Sequence, residues 1–271
     1  MLKTRIITGI ILLVLFAADL FLASFQVFAL VLGFVVAASA WEWSRLCKVQ
    51  NQHMQTAFAA FLGLLTIMVL YIPYSEALTH WILLIGVVYW IIVPISFYML
   101  PKLQVFDQMQ TGLLLQGVVV MLIAALAIQY LRSYAPQASP QLLLYAMSIV
   151  WVMDIGAYFS GKRFGKTKLA PLISPGKTWE GVFGGLLATS LVALVVLFSA
   201  QFAQGNQVKL IIATLLAASV SVYGDLAESR IKRAAEQKDS SQMLPGHGGV
   251  LDRVDGVLAA IPVFASVWAW L

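Results

Sequence analysis

Nine apolar runs, each long enough to cross a bilayer as a helix, follow one another along this chain. Crossing the hydrocarbon takes about 20 predominantly apolar residues, and runs of that kind are centred near residues 14, 33, 65, 90, 122, 150, 191, 217 and 264. Hydrophobic residues make up 61% of the 271, well above the roughly half found in a soluble domain. The chain is therefore expected to be all-α, a polytopic integral membrane protein of about nine transmembrane helices. Cys47 is the only cysteine, which excludes an intramolecular disulfide and a cysteine-rich metal site.

Basic residues set the expected orientation, because Lys and Arg are retained on the cytoplasmic side of short loops. With nine spans and a cytoplasmic N-terminus, only Arg132 and Lys209 of the 17 basic residues would face outward. The net charge of +5 then belongs to the cytoplasmic face, where it suits anionic headgroups or nucleotides. Nothing in the chain reads as a nucleic-acid-binding module.

The two halves differ in character. Residues 1–140 read as helices with short links, a scaffold with lipid access, and Trp41, Glu42 and Trp43 read as an interfacial anchor. The stretch SYAPQASPQ after Arg132 reads as an external loop. Residues 141–271 carry most of the acidic residues, among them Asp154, Glu180, Asp225, Glu228, Glu236, Asp239, Asp252 and Asp255. Catalytic chemistry is expected in this half.

Three segments there could carry it. In YGDLAESRIKR, Asp225, Glu228, Ser229 and Lys232 share one face of a helix. They form either a solvated helix end or a polar stripe that continues an apolar span into a site. In LPGHGGVLDRVDG, Asp252 and Asp255 stand three apart and face the same way in a helical turn. With Asp225 they could hold one or two hard cations such as Mg²⁺, which takes oxygen ligands from carboxylates, water and phosphates. The glycines of PGHGG suit close approach of backbone N–H groups to phosphate, although a plain connector would use the same residues. His247 reads as a structural hydrogen-bonding residue or as a general acid or base. His53 and His80 lie in other expected loops and form no metal-ligand spacing with it.

The third segment, Asp154 to Gly181, concentrates Lys162, Arg163, Lys166, Lys168 and Lys177. These either retain the loop in the cytoplasm or clamp a triphosphate or headgroup. Its GKT is not a P-loop, because the Gly required five residues before Gly176 is Pro171 and no strand is expected ahead of it.

SRIKRAAEQKDSSQMLPGHGGVLDRVD, Ser229 to Asp255, closely resembles the signature of phosphatidate cytidylyltransferases (CDP-diacylglycerol synthases) of bacterial type. The fixed positions are met by Ser229, Lys232, Arg233, Lys238, Asp239, Ser241, Leu244, Pro245, His247, Gly248, Gly249, Asp252, Arg253 and Asp255. KLAPLISPGKTWEG and GDLAES resemble the same family. The resemblance implies that CTP and phosphatidic acid give CDP-diacylglycerol and pyrophosphate with Mg²⁺, a committed step of phospholipid biosynthesis, in the bacterial inner membrane with the site facing the cytoplasm. A second cation and a homodimer are left open. Carried onto this chain, it implies that Asp225, Asp252 and Asp255 organise metal and that Ser229 and Lys232 join them in catalysis. Arg233, Lys238, Asp239, His247 and Arg253 would contact substrate, with Lys166 and Lys177 as further phosphate contacts. The competing readings are a CTP-dependent lipid kinase, which would transfer the γ-phosphate, and a transporter, which would place its charges near mid-membrane. A CDP-alcohol phosphatidyltransferase fits poorly, since Ala260 stands where that motif has Arg.

Overall fold

The computed structural model describes residues 2–99, 104–135, 139–200 and 203–271; the side chains of residues 2–6, 96–99 and 134 are outside that description. Of the expected inward-facing set Lys102, and of the expected external loop residues 136–138, therefore lie outside the described residues, and Lys3 and Arg5 are described in their backbone alone.

Among the described residues each expected run is a helix. These are α1 (Leu2–Leu22), α2 (Phe25–Leu46), α3 (Gln52–Leu70), α4 (Glu76–Met99), α5 (Thr111–Gln129), α6 (Pro140–Phe164), α7 (Trp179–Ser199), α8 (Gln207–Ala234) and α9 (Leu251–Trp270). Eight are long and apolar enough to cross a membrane, and α1 adds the apolar stretch Ile7–Leu22. Large apolar side chains stay outside the packed interior, Phe34 at 72% exposure and Phe198 at 90% among them. A surface of that kind is suited to lipid, and the chain is a multi-pass membrane protein.

Polar residues at the edges of the apolar runs set where helices begin. Asn51 Oδ1 accepts from the His53 and Met54 backbone N–H groups, Ser139 Oγ from Leu142 and Thr178 Oγ1 from Gly181. Each satisfies a donor that a first helical turn leaves unpaired. α5 runs on into a π-helical turn, Tyr130–Tyr134.

The chain divides into two compact units that interleave in sequence, whereas the expected halves were separated by polarity. The first comprises Met1–Pro73, Gln104–Leu126 and Arg230–Val254; the second comprises Tyr74–Leu103, Ala127–Ser229 and Asp255–Leu271. In the first, α2 packs on α3 where Gly33 faces Gly63; a Cβ on Gly63 would lie 2.9 Å from the Gly33 carbonyl oxygen. Close backbone contact of this kind is a usual basis of helix association in lipid. In the second, Pro262 lies inside α9 and has no N–H for the carbonyl of Leu258, four residues earlier. Trp90 Nε1 of α4 donates to that carbonyl at 3.1 Å, so the bend leaves no orphan acceptor there.

Two expectations need correction. The cationic segment before α7 is a β-hairpin rather than a plain loop, with β1 (Lys168–Ala170) antiparallel to β2 (Ser174–Thr178). A strand does therefore precede Pro171, but Gly176, Lys177 and Thr178 lie on β2 itself and form no phosphate loop. His53 and His80 stand on α3 and α4, not in loops.

Cys47, just beyond α2, is 0% exposed, and burial pushes its thiol up to about 12. Only thiolate is nucleophilic. A maleimide should therefore leave the folded protein unmodified near neutral pH and label it after denaturation, as intact-mass measurement would show. Stoichiometric labelling of the folded protein would contradict that burial.

Candidate active site

In the first unit the segment 238–253 folds around one carboxylate. Asp252, in the first turn of α9, accepts from Lys232 Nζ at 2.6 Å, from the Gly249 N–H at 2.8 Å and from the Ser240 N–H at 3.0 Å, and Ser240 Oγ, whose one proton is shared with Glu42, lies 3.0 Å away. The Lys232 and Asp252 side chains are only 10% and 5% exposed. A buried ion pair of this kind persists only with further hydrogen bonds to its oxygens, and the loop supplies them. Asp252 is thus the point to which the loop is tied.

The loop is built to reach it. Leu244 N–H donates to the Gly248 carbonyl at 2.8 Å and His247 N–H to the Leu244 carbonyl at 2.9 Å. Gly248 takes φ +83°, where a Cβ would also come within 2.8 Å of Asp252 Oδ2. A left-handed backbone with no room beside it is a position for glycine alone.

That fold opens a cavity of about 630 Å³, lined by Lys238, Asp239, Gln242, Leu244, Pro245, Gly246, His247, Gly248 and Arg253. Its size lies in the range of small-molecule sites, about 300–1,000 Å³. Two cations stand in its wall, and His247 Nδ1 is buried with no hydrogen-bond partner among the described residues. Arg233, nearby in sequence at the end of α8, donates from Nη1 to the Gln237 carbonyl at 3.2 Å.

The segment 240–251 has a further partner that the sequence reading missed. Glu42 of α2 is 0% exposed. Its carboxylate accepts from Ser240 Oγ at 3.0 Å, from Ser241 Oγ, from the Val250 N–H at 3.0 Å and from the Leu251 N–H at 2.6 Å. Trp43, also buried, donates from Nε1 to the Leu113 carbonyl at 2.8 Å. Neither residue is the interfacial anchor that WEW was expected to be. The available signal was a carboxylate inside an apolar helix, which normally needs a partner.

In the second unit, Lys177 of β2 pairs with Asp225 Oδ2 of α8 at 2.5 Å, and Ser229 Oγ donates to Asp225 Oδ1 at 3.1 Å. The expected helical spacing thus joins Asp225 to Ser229. Gly224 lets α9 come close: a Cβ there would lie 2.6 Å from the Asp255 carbonyl oxygen. Asp255 Oδ1 accepts from the Gly256 N–H at 2.6 Å. The hairpin itself is fixed by Glu180, which accepts from the Lys166 and Thr167 N–H groups at 3.1 Å each, leaving the Lys166 side chain exposed.

Among the described residues no group of three or more His, Cys, Asp or Glu side chains is gathered to hold a metal ion. Asp225, Asp252 and Asp255 are therefore not brought together as one ligand set. Asp225 and Asp255, on helices in backbone contact, still match what Mg²⁺ takes from protein, one or two carboxylates with the remainder from water and substrate phosphates.

The sequence profile of the cytidylyltransferase family matches residues 3–271. The chain belongs to that family. Three relatives of this cytidylyltransferase are each named phosphatidate cytidylyltransferase. The one from Pseudomonas aeruginosa is 41% identical over 270 residues, covering 99% of this chain and 98% of its own. The one from Haemophilus influenzae is 37% identical, covering 98% of each. The one from Brucella suis is 34% identical, covering 99% of this chain and 94% of its own. The match to the cytidylyltransferase profile thus takes in both units rather than the signature segment alone.

Proposed function

We propose that this chain is a phosphatidate cytidylyltransferase: the phosphate of phosphatidic acid attacks the α-phosphorus of CTP, a P–O bond forms, and pyrophosphate leaves as CDP-diacylglycerol is made. The observation that carries this reading is the cavity walled by Lys238, Arg253 and His247, within a cytidylyltransferase whose relatives bear that name over nearly their whole length. Transfer at phosphorus is achieved mainly by positioning and by neutralising charge. Lys238 and Arg253 supply positive charge for the triphosphate, and His247, whose Nδ1 is buried and unpartnered among the described residues, lines the same cavity. Asp239 stands in the cavity wall, and Arg233 holds the Gln237 carbonyl just ahead of it. Lys232 is held on Asp252 beside the loop.

Mg²⁺ is the metal this chemistry calls for, and Asp225 and Asp255 are the pair suited to it, with Asp252 the third candidate. A divalent cation held by such carboxylates would neutralise charge on phosphate oxygens and on a departing pyrophosphate. Ser229 orients Asp225. Lys177, now on Asp225, and the exposed Lys166 are cations that incoming phosphate could engage. The basic bias of the loops supports a cytoplasmic membrane with the site facing the cytoplasm.

The test uses purified protein with phosphatidic acid and CTP labelled at either the α- or the γ-phosphate. Lipid-extractable label should come from the α-position alone, with pyrophosphate released. Label from the γ-position alone would make the protein a lipid kinase, and flux without nucleotide turnover would make it a transporter. Chelating divalent cations should stop transfer and added Mg²⁺ restore it. Asp225→Asn should raise the Mg²⁺ concentration for half-maximal rate by roughly tenfold or more; an unchanged Mg²⁺ curve would remove Asp225 from the metal site.

A further inference from the structure

α2 carries a carboxylate that no step of this reaction uses. Glu42 lies near the end of that helix and is fully buried, yet the groups around its oxygens are neutral donors: two hydroxyls and two backbone N–H groups. A buried carboxylate is tolerated when several hydrogen bonds are directed at it. The position of these donors in the chain is informative. Ser240 and Ser241 directly follow Lys238 and Asp239 of the cavity wall. Val250 and Leu251 come just before Arg253, and their N–H groups open α9, where a first turn has donors to spare and favours negative charge. The stretch between them, with His247, forms the rest of the wall. Glu42 therefore grips the loop at both ends.

We infer that Glu42 is a positioning residue for the CTP site: by fixing residues 240–241 and 250–251 together it sets the separation of Lys238, His247 and Arg253 across the cavity. The fit is close. A Cβ on Gly249 would stand 2.5 Å from Glu42 Oε1, so the loop backbone lies directly against the carboxylate. This inference rests on the reading that the cavity takes CTP. It assigns no contact between Glu42 and substrate.

Glu42→Gln keeps the size of the side chain but replaces one acceptor oxygen by an NH₂. Hydroxyls can turn to meet it, whereas a backbone N–H cannot, so one end of the loop is released. Full-length Glu42→Gln in detergent with phosphatidic acid should show a KM for CTP raised roughly tenfold or more, the usual scale for leaving a buried donor unsatisfied. KM for phosphatidic acid should stay within about twofold, and peptide-level hydrogen exchange across 244–251 should quicken. Glu42→Asp, which keeps the charge and loses one methylene, should recover part of the affinity for CTP. Support of the bundle alone would lower thermal stability without separating the two KM values. A folded Glu42→Gln with wild-type KM for CTP and wild-type loop exchange overturns the inference, as does a rise confined to the KM for phosphatidic acid. Should Glu42→Gln not fold, Ser241→Ala removes a single donor and should raise KM for CTP severalfold; a wild-type KM there also overturns it. Wild-type protein that turns over no CTP would sink the functional reading instead, while the exchange measurement would still decide whether Glu42 holds the loop.

Discussion

Asp252→Asn is expected to lower kcat/KM by roughly a hundredfold or more: removing one partner of a buried ion pair destabilises the structure around it by about 3–5 kcal/mol, here the loop that walls the cavity, and each 1.36 kcal/mol of that loss felt in the transition state is about tenfold in rate. The amide would take the Asp252 charge away from Lys232 and would offer a single acceptor oxygen to the Gly249 and Ser240 N–H groups. The loss should fall first on the loop and then on the cavity it walls. Steady-state kinetics in CTP and phosphatidic acid, with thermal unfolding in the same detergent, would measure both parts. Adding Lys232→Met to Asp252→Asn removes both charges of the buried pair and should restore part of the thermal stability lost in the single variant, while activity stays low. Full turnover by Asp252→Asn would mean that the ion pair does not organise the site.

The second large effect is expected at a glycine, and a glycine of the hairpin supplies its control. A Cβ on Gly249 would overlap Ser240 Oγ and approach both Glu42 oxygens. Those atoms are already hydrogen-bonded to each other, so they cannot withdraw without breaking the loop's attachment. Gly249→Ala should therefore remove most activity, by roughly a hundredfold, the outcome of strain at an overpacked and hydrogen-bonded point. At Gly176, on the hairpin, a Cβ would meet nothing within 4 Å. Gly176→Ala should stay within about 0.5 kcal/mol of wild type in stability and keep its turnover. Comparable activity in the two variants would show that the crowding at Gly249 is not what the loop depends on.

The apolar runs announced the helices because about 20 such residues leave the backbone few alternatives in lipid. Their exact ends were not read from the sequence; the caps at Asn51, Ser139 and Thr178 emerge from hydrogen bonds in the structure. The hairpin was not legible either, since β1 has three residues and β2 contains Pro175 and Gly176, both poor strand signals. The signature segment pointed to Lys238, His247 and Arg253, and the structure brings these three to one cavity. It could not tell that Asp252 holds Lys232 and two loop N–H groups, because spacing gives the direction of a carboxylate and not its partners. Asp225 with Ser229 followed from the helical period, whereas Lys177 on Asp225 depends on how the hairpin folds back. Glu42 was misread for a different reason. Its partners lie about 200 positions along the chain, and a Trp-Glu-Trp beside an apolar run is compatible with an interfacial anchor until those partners are known.

That separation also orders events during synthesis. Glu42 and Leu251 are 209 residues apart, so at about 5–20 residues per second the second helix is complete roughly 10 to 40 s before its hydrogen-bond donors exist. Throughout that interval the carboxylate has none of the four partners it holds in the finished protein. Truncated chains ending before residue 240 would lack all four of these donors.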